Sequence, residues 1–182
     1  MKRLVPLLFA LIALTAGCNT TGCLDNQNSI PLAGFYDSGT GAEVALNIVQ
    51  IHGVGAPGDS ILVAGGTSAK QVYLPMRSTM PSTTWCFHYT QMGIDYDDFN
   101  DTIAFDYTST PYFASEECGA IYHYHIDKCR YTTHLIDSVV IADSLITNVD
   151  QVRIKIYFRI ASAGDDQNQN MAMDDDGQNQ SI

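Results

Sequence analysis

Two histidines stand two residues apart in Tyr122-His123-Tyr124-His125. On a strand that spacing points both imidazoles to one side, where a metal ion could sit if Asp127 or His134 supplied a third ligand. Yet Ala120, Tyr122, Tyr124 and Ile126 form the apolar set of the same stretch, which leaves His123 and His125 on the solvated face. Solvation is the simpler reading, and no metal is expected. Asp95, Asp97, Asp98 and Asp101 crowd the segment GIDYDDFND. Calcium needs oxygen ligands turned inward by a sharply bent loop, and no glycine falls inside the acidic run. A solvated hairpin tip is expected there. Arg153, Lys155 and Arg159 share one face of a strand and supply a possible docking stripe for an acidic partner or a lipid phosphate. Cross-strand pairing with Asp106 or a similar acid is the plainer alternative. Neither G-x-S-x-G nor Ser-x-x-Lys occurs, and Ser60 with His52 makes no triad without geometry. No catalytic residue and no cofactor are expected.

The cysteines carry more information. Lys2 and Arg3 precede an apolar run of 11 residues, Leu4 to Leu14, too short to span a bilayer but suited to a secretory signal. The run closes on Leu14-Thr15-Ala16-Gly17-Cys18, which resembles the lipobox of bacterial lipoproteins, with Thr15 where leucine is commonest. That resemblance implies cleavage after Gly17 and lipidation of Cys18. Two or more acyl chains anchor stably, each buried CH₂ adding about 0.8 kcal/mol. Asn19, in place of an aspartate, resembles the sorting signal for the outer membrane, and the lack of an acidic cluster resembles lipoproteins that face the periplasm. Four cysteines then remain, and an even number in an exported chain favours two disulfides among three possible connectivities. Cys23–Cys118 with Cys86–Cys129 is the preferred pairing, with free buried thiols as the alternative. The second bridge would close 43 residues, a constraint of about 4 kcal/mol on the chain-entropy model. Zinc would want a CxxC, which is absent.

The elements that must position these residues follow a period of two. Val152, Ile154, Ile156, Phe158 and Ile160 alternate with Arg153, Lys155, Tyr157 and Arg159. The pattern repeats in 102–108 and in 83–89, where Trp85, Phe87 and Tyr89 share a face. Segments 44–51, 60–64, 71–76, 119–127 and 133–142 are further strand candidates, separated by turn signals such as Gly53-Val54-Gly55-Ala56-Pro57-Gly58-Asp59. No amphipathic helix stands out. The expected fold is all-β, a two-sheet antiparallel sandwich of the immunoglobulin-like kind with seven to nine strands. The organisation is a signal peptide at 1–17, a lipidated tether at 18–33, the sandwich at 34–162 and a disordered acidic tail at 163–182.

The whole chain has 182 residues, 46% of them hydrophobic, and a net charge of −11, which becomes −13 without residues 1–17. The apolar content supports one packed domain, and the charge excludes nucleic acid, whose partners concentrate Lys and Arg. An anionic body should also be repelled by anionic lipid, so membrane attachment would rest on the acyl chains.

The chain resembles a family of small Bacteroidota lipoproteins carrying a domain of unknown function. The resemblance runs from Cys23 to Phe158. It rests on Cys23 with Pro31, Phe35-Tyr36-Asp37, Gly53 with Asp59-Ser60, and Leu74-Pro75. It continues through Asp101-Thr102-Ile103, Glu117-Cys118-Gly119, Ile136-Asp137-Ser138 and Lys155-Ile156-Tyr157-Phe158. It implies a lipid-anchored β-sandwich in the envelope and transfers no catalytic residue. Together these readings predict a non-enzymatic accessory or interaction protein, lipid-anchored at the outer membrane, facing the periplasm and working beside a β-barrel complex. The alternative is a surface glycan-binding lipoprotein using Tyr96, Phe99, Tyr112 and Phe113 as stacking platforms.

Overall fold

The computed structural model describes residues 28–56, 60–115 and 119–160. Alternating apolar and polar side chains build ten strands there. They are β1 (Leu32–Asp37), β2 (Val49–Gly53), β3 (Ile61–Val63), β4 (Gln71–Tyr73), β5 (Ser82–Tyr89), β6 (Asp101–Ser115), β7 (Gly119–Tyr131), β8 (Ile136–Ile141), β9 (Leu145–Ile146) and β10 (Val152–Phe158). Apart from a single 3-10 turn at Asp97–Phe99, no helix forms among the described residues, and none is long and apolar enough to cross a membrane.

The strands form a four-stranded sheet, ordered β4-β1-β10-β8, and a six-stranded sheet, ordered β3-β2-β5-β6-β7-β9. The two sheets pack face to face, as expected for a sandwich. All pairings are antiparallel except β1 with β10, which run parallel down the middle of the smaller sheet. The ten strands are one more than the upper end of the expected seven to nine, and β1 and β9 lie outside the segments read as strands. β1 begins at Leu32, inside the stretch read as tether, and Ser29 before it is already fully buried. Gly34 allows this central strand its close neighbours, since a Cβ there would lie 3.0 Å from the Tyr36 ring and 3.2 Å from Val152.

Between the sheets Ala33, Phe35, Ile154, Ile156 and Phe158 meet Val49, Ile51, Phe87, Ile103 and Phe105, all at or near zero exposure. Phe158 makes an edge contact with Phe35 at 5.5 Å and reaches Phe87 of the opposite sheet at 6.3 Å. The alternation on β10 departs from expectation at Arg153, which is buried and bonded to Asp143. Its neighbours on the polar face, Lys155 and Tyr157, are only half-buried, so the covering is local to Arg153.

Asp101 departs further. Expected at a solvated tip, it is fully buried at the start of β6. Its carboxylate accepts hydrogen bonds from the Tyr89 hydroxyl (2.6 Å), the Thr132 hydroxyl (2.8 Å) and the backbone N–H groups of His134, Leu135 and Ile136 (each 2.8 Å). Residues 132–136 carry the chain from β7 in the larger sheet to β8 in the smaller. One carboxylate therefore fixes the crossover and satisfies donors that the crossover would otherwise bury unpaired. The neighbouring acids behave as read, with Asp95, Asp97 and Asp98 exposed.

Candidate functional site

β6 and β7 are the longest strands, and their far halves form an arm paired from Tyr107 with Ile126 out to Ser115 with Gly119. Bulges at Asp106/Tyr107 and Phe113/Ser115 increase the local twist. Near the tip Tyr112, Phe113 and Tyr122 are 46%, 65% and 42% exposed. The Tyr112 ring stacks on His123 at 4.2 Å with a 20° tilt. Below the arm lies a recess of about 480 Å³ bordered by Asn28, Ile30, Met76, Ser78, Ile121 and Tyr122. Exposed aromatics grouped beside a recess are the usual mark of a contact surface. Tyr96 and Phe99 belong elsewhere. They touch each other at 5.6 Å at the opposite end of β6, where Phe99 also stacks on His134. A strand rises about 3.3 Å per residue, so the two aromatic groups stand roughly 40 Å apart and share no surface.

The histidines do not converge. His125 bonds Asp127 at 2.9 Å and the Ser144 hydroxyl at 3.2 Å, both exposed contacts. His123 lies under Tyr112, where burial holds its pKa below the ordinary imidazole value. His134 sits at the Asp101 crossover, its Nδ1 3.0 Å from the carbonyl of Asn100. Among the described residues no three His, Cys, Asp or Glu side chains are placed to hold a metal ion.

The three cations on β10 and just after it, Arg153, Lys155 and Arg159, each have an internal partner. Arg153 pairs with Asp143 and lies 3.3 Å from the Thr147 hydroxyl. Lys155 sits over the Tyr36 ring at 5.3 Å. Arg159 pairs with Asp137 at 2.9 Å and donates to the carbonyls of Thr133, His134 and Ile136. Asp106 is taken by Arg130 on the neighbouring strand, which grips both its carboxylate oxygens. The acid that balances Arg153 is thus Asp143.

The expected Cys86–Cys129 bridge needs correction, for both thiols are free. Cys86 on β5 is paired in register with Thr102 on β6, and Cys129 on β7 with Phe105. Thr102 and Phe105 point to opposite faces of the sheet. The flanking strands are also two spacings apart, about 9.5 Å, whereas a disulfide needs Cα atoms within about 7 Å. Burial pushes the Cys129 thiol up to about 11 and raises that of Cys86 as well. A peptide map of the unreduced protein should contain Cys86 and Cys129 peptides with no link between them; a linked peptide would contradict this register. Cys18, Cys23 and Cys118, the signal segment 1–17 and the whole tail 163–182 lie outside the described residues.

The residue of greatest structural consequence, Asp101, carried no signal beyond its acidic surroundings, because its five donors come from Tyr89 and from a segment some thirty residues downstream. Searches of curated proteins and of solved structures return no match. Residues 48–158, more than half of the chain, match the model of a family of unknown function, DUF6452. That span holds β2 to β10, the Asp101 crossover and the arm, and on this match the chain belongs to that family.

Proposed function

We propose that this protein is a lipid-anchored binding module of the cell envelope, held at the periplasmic face of the outer membrane and contacting a partner through the β6–β7 arm. The carrying observation is the sequence Leu14-Thr15-Ala16-Gly17-Cys18 at the end of a basic and then apolar segment. Ten residues separate Cys18 from Asn28, a reach of at most about 36 Å, so an acylated Cys18 keeps the sandwich close to the bilayer. The exposed Tyr112, Phe113 and Tyr122 support an interaction role for the arm. In cell fractionation, Cys18→Ala is expected to move the protein from the membrane to the soluble fraction. Retention in the membrane would contradict the anchor.

One observation favours a glycan-binding reading as the second choice. Tyr112 presents a flat ring backed by His123, the kind of platform on which sugar rings stack. Protease added to intact cells separates the two readings: a surface glycan binder is shaved, and a periplasm-facing module is protected.

A further inference from the structure

We infer that the mouth of the sandwich at the β2–β3 end is a binding site for a small amphiphilic carboxylate, independently of the lipid anchor; Pro75 and Arg77 border both this cavity and the recess below the arm. A cavity of about 340 Å³ opens there, within the size range of small-molecule sites. Gly53, Val54, Ala56, Leu62, Pro75 and Trp85 make its walls largely apolar, which suits a hydrocarbon chain or an aromatic ring. Trp85, 5% exposed, lies against the cavity. Polar side chains break the apolar lining: Ser60, Thr83 and Thr84 on the wall, and Arg77 at the rim. Arg77 is the charged one. Among the described residues it is the only charged side chain on the lining, and no carboxylate lies within ion-pair distance of it.

That isolation distinguishes Arg77 from Arg130, Arg153 and Arg159, each neutralised by an aspartate. Its backbone is also clamped. The N–H of Arg77 donates to the Tyr107 hydroxyl at 2.9 Å, and that hydroxyl donates back to the Arg77 carbonyl at 3.1 Å. The Thr83 hydroxyl, 2.7 Å away, holds Tyr107 in turn. The backbone from which the exposed Arg77 side chain extends to the rim is therefore held in place. A guanidinium fork matches a carboxylate, and one unbalanced positive charge matches one negative charge. A neutral apolar molecule would leave Arg77 unused, and a cation would be repelled by it.

Trp85 is the only tryptophan of the chain, so its emission reports the site directly. Titration of the purified full chain with octanoate, below its aggregation concentration, should shift or quench that emission saturably at one equivalent. Octanol should bind at least fivefold more weakly. Arg77→Gln, at the exposed rim, should weaken octanoate at least tenfold and leave octanol within twofold. Ala56→Leu, which fills the cavity, should abolish both. No saturable change with octanoate in either fluorescence or calorimetry would overturn the proposal. So would an octanoate affinity that Arg77→Gln leaves unchanged.

Discussion

Replacing Asp101 with alanine should remove about 3–5 kcal/mol of folding stability, the range seen when one member of a buried charged network is lost. The carboxylate is fully buried and accepts five hydrogen bonds, three of them from the backbone of the β7–β8 crossover. Alanine leaves all five donors without their acceptor in a place water reaches poorly. Asp101→Asn keeps the shape but turns an NH₂ towards N–H donors, so it should also be strongly destabilising. Urea unfolding at pH 7 measures both, and a loss below about 1 kcal/mol for alanine would contradict the crossover role assigned to this residue. The pH dependence follows with a definite sign. Burial pushes the Asp101 pKa up, but the hydrogen bonds from Ile136, Tyr89, His134 and Thr132 outweigh it and leave the pKa below the ordinary aspartate value. The folded state therefore binds the proton less readily than the unfolded chain. The resulting stability is complete above the unfolded pKa of about 3.9 and is lost as the pH falls through the folded one. Asp101→Asn should remove that part of the acid slope.

Phe158→Ala should destabilise by a similar amount, about 3–5 kcal/mol, through a different cause. The ring is 1% exposed, lies edge-on to Phe35 and is the point where β10 reaches Phe87 across the sandwich. Truncation leaves a cavity that two packed sheets cannot close without moving apart. In a protein of this size each kcal/mol is worth about 2–4 °C, so a fall of roughly 10 °C in the melting midpoint is expected. Val140→Ala, on the exposed side of β8, serves as the control and should change stability by no more than about 0.5 kcal/mol. Equal effects at the two positions would place the core elsewhere.

The contrast between these residues and the exposed ones shows how far the sequence could be read. β5 and the start of β6 have one wet and one dry face, so their period of two was plain in Trp85, Phe87 and Tyr89 and in Ile103, Phe105 and Tyr107. β1 gave no such period. It lies between β4 and β10 with five of its six residues buried, and a strand covered on both faces has no reason to alternate. Arg153 is buried for a different, local reason, its contacts with Asp143 and Thr147. The arm was hidden by Pro111, which argues against a strand interior and yet is tolerated in β6, opposite Tyr122. Asp101 and the free thiols were illegible for one shared reason: counts and local runs carry no information about non-local register. Whether two cysteines can meet depends on which face of which strand each occupies, and a carboxylate among acids looks solvated until its donors are known. The cavity beside Trp85 has the same origin, because its walls come from three separate segments.

The proposed lipid anchor at Cys18 would govern where the rest of the molecule can act. Intact mass spectrometry of the mature protein, extracted from membranes in detergent, tests it most directly. An N-terminus at Cys18 carrying the added mass of its acyl chains is the expected result. A mature chain that begins elsewhere, or a Cys18 without acyl groups, would contradict the anchor and with it the proposed place of this protein in the envelope.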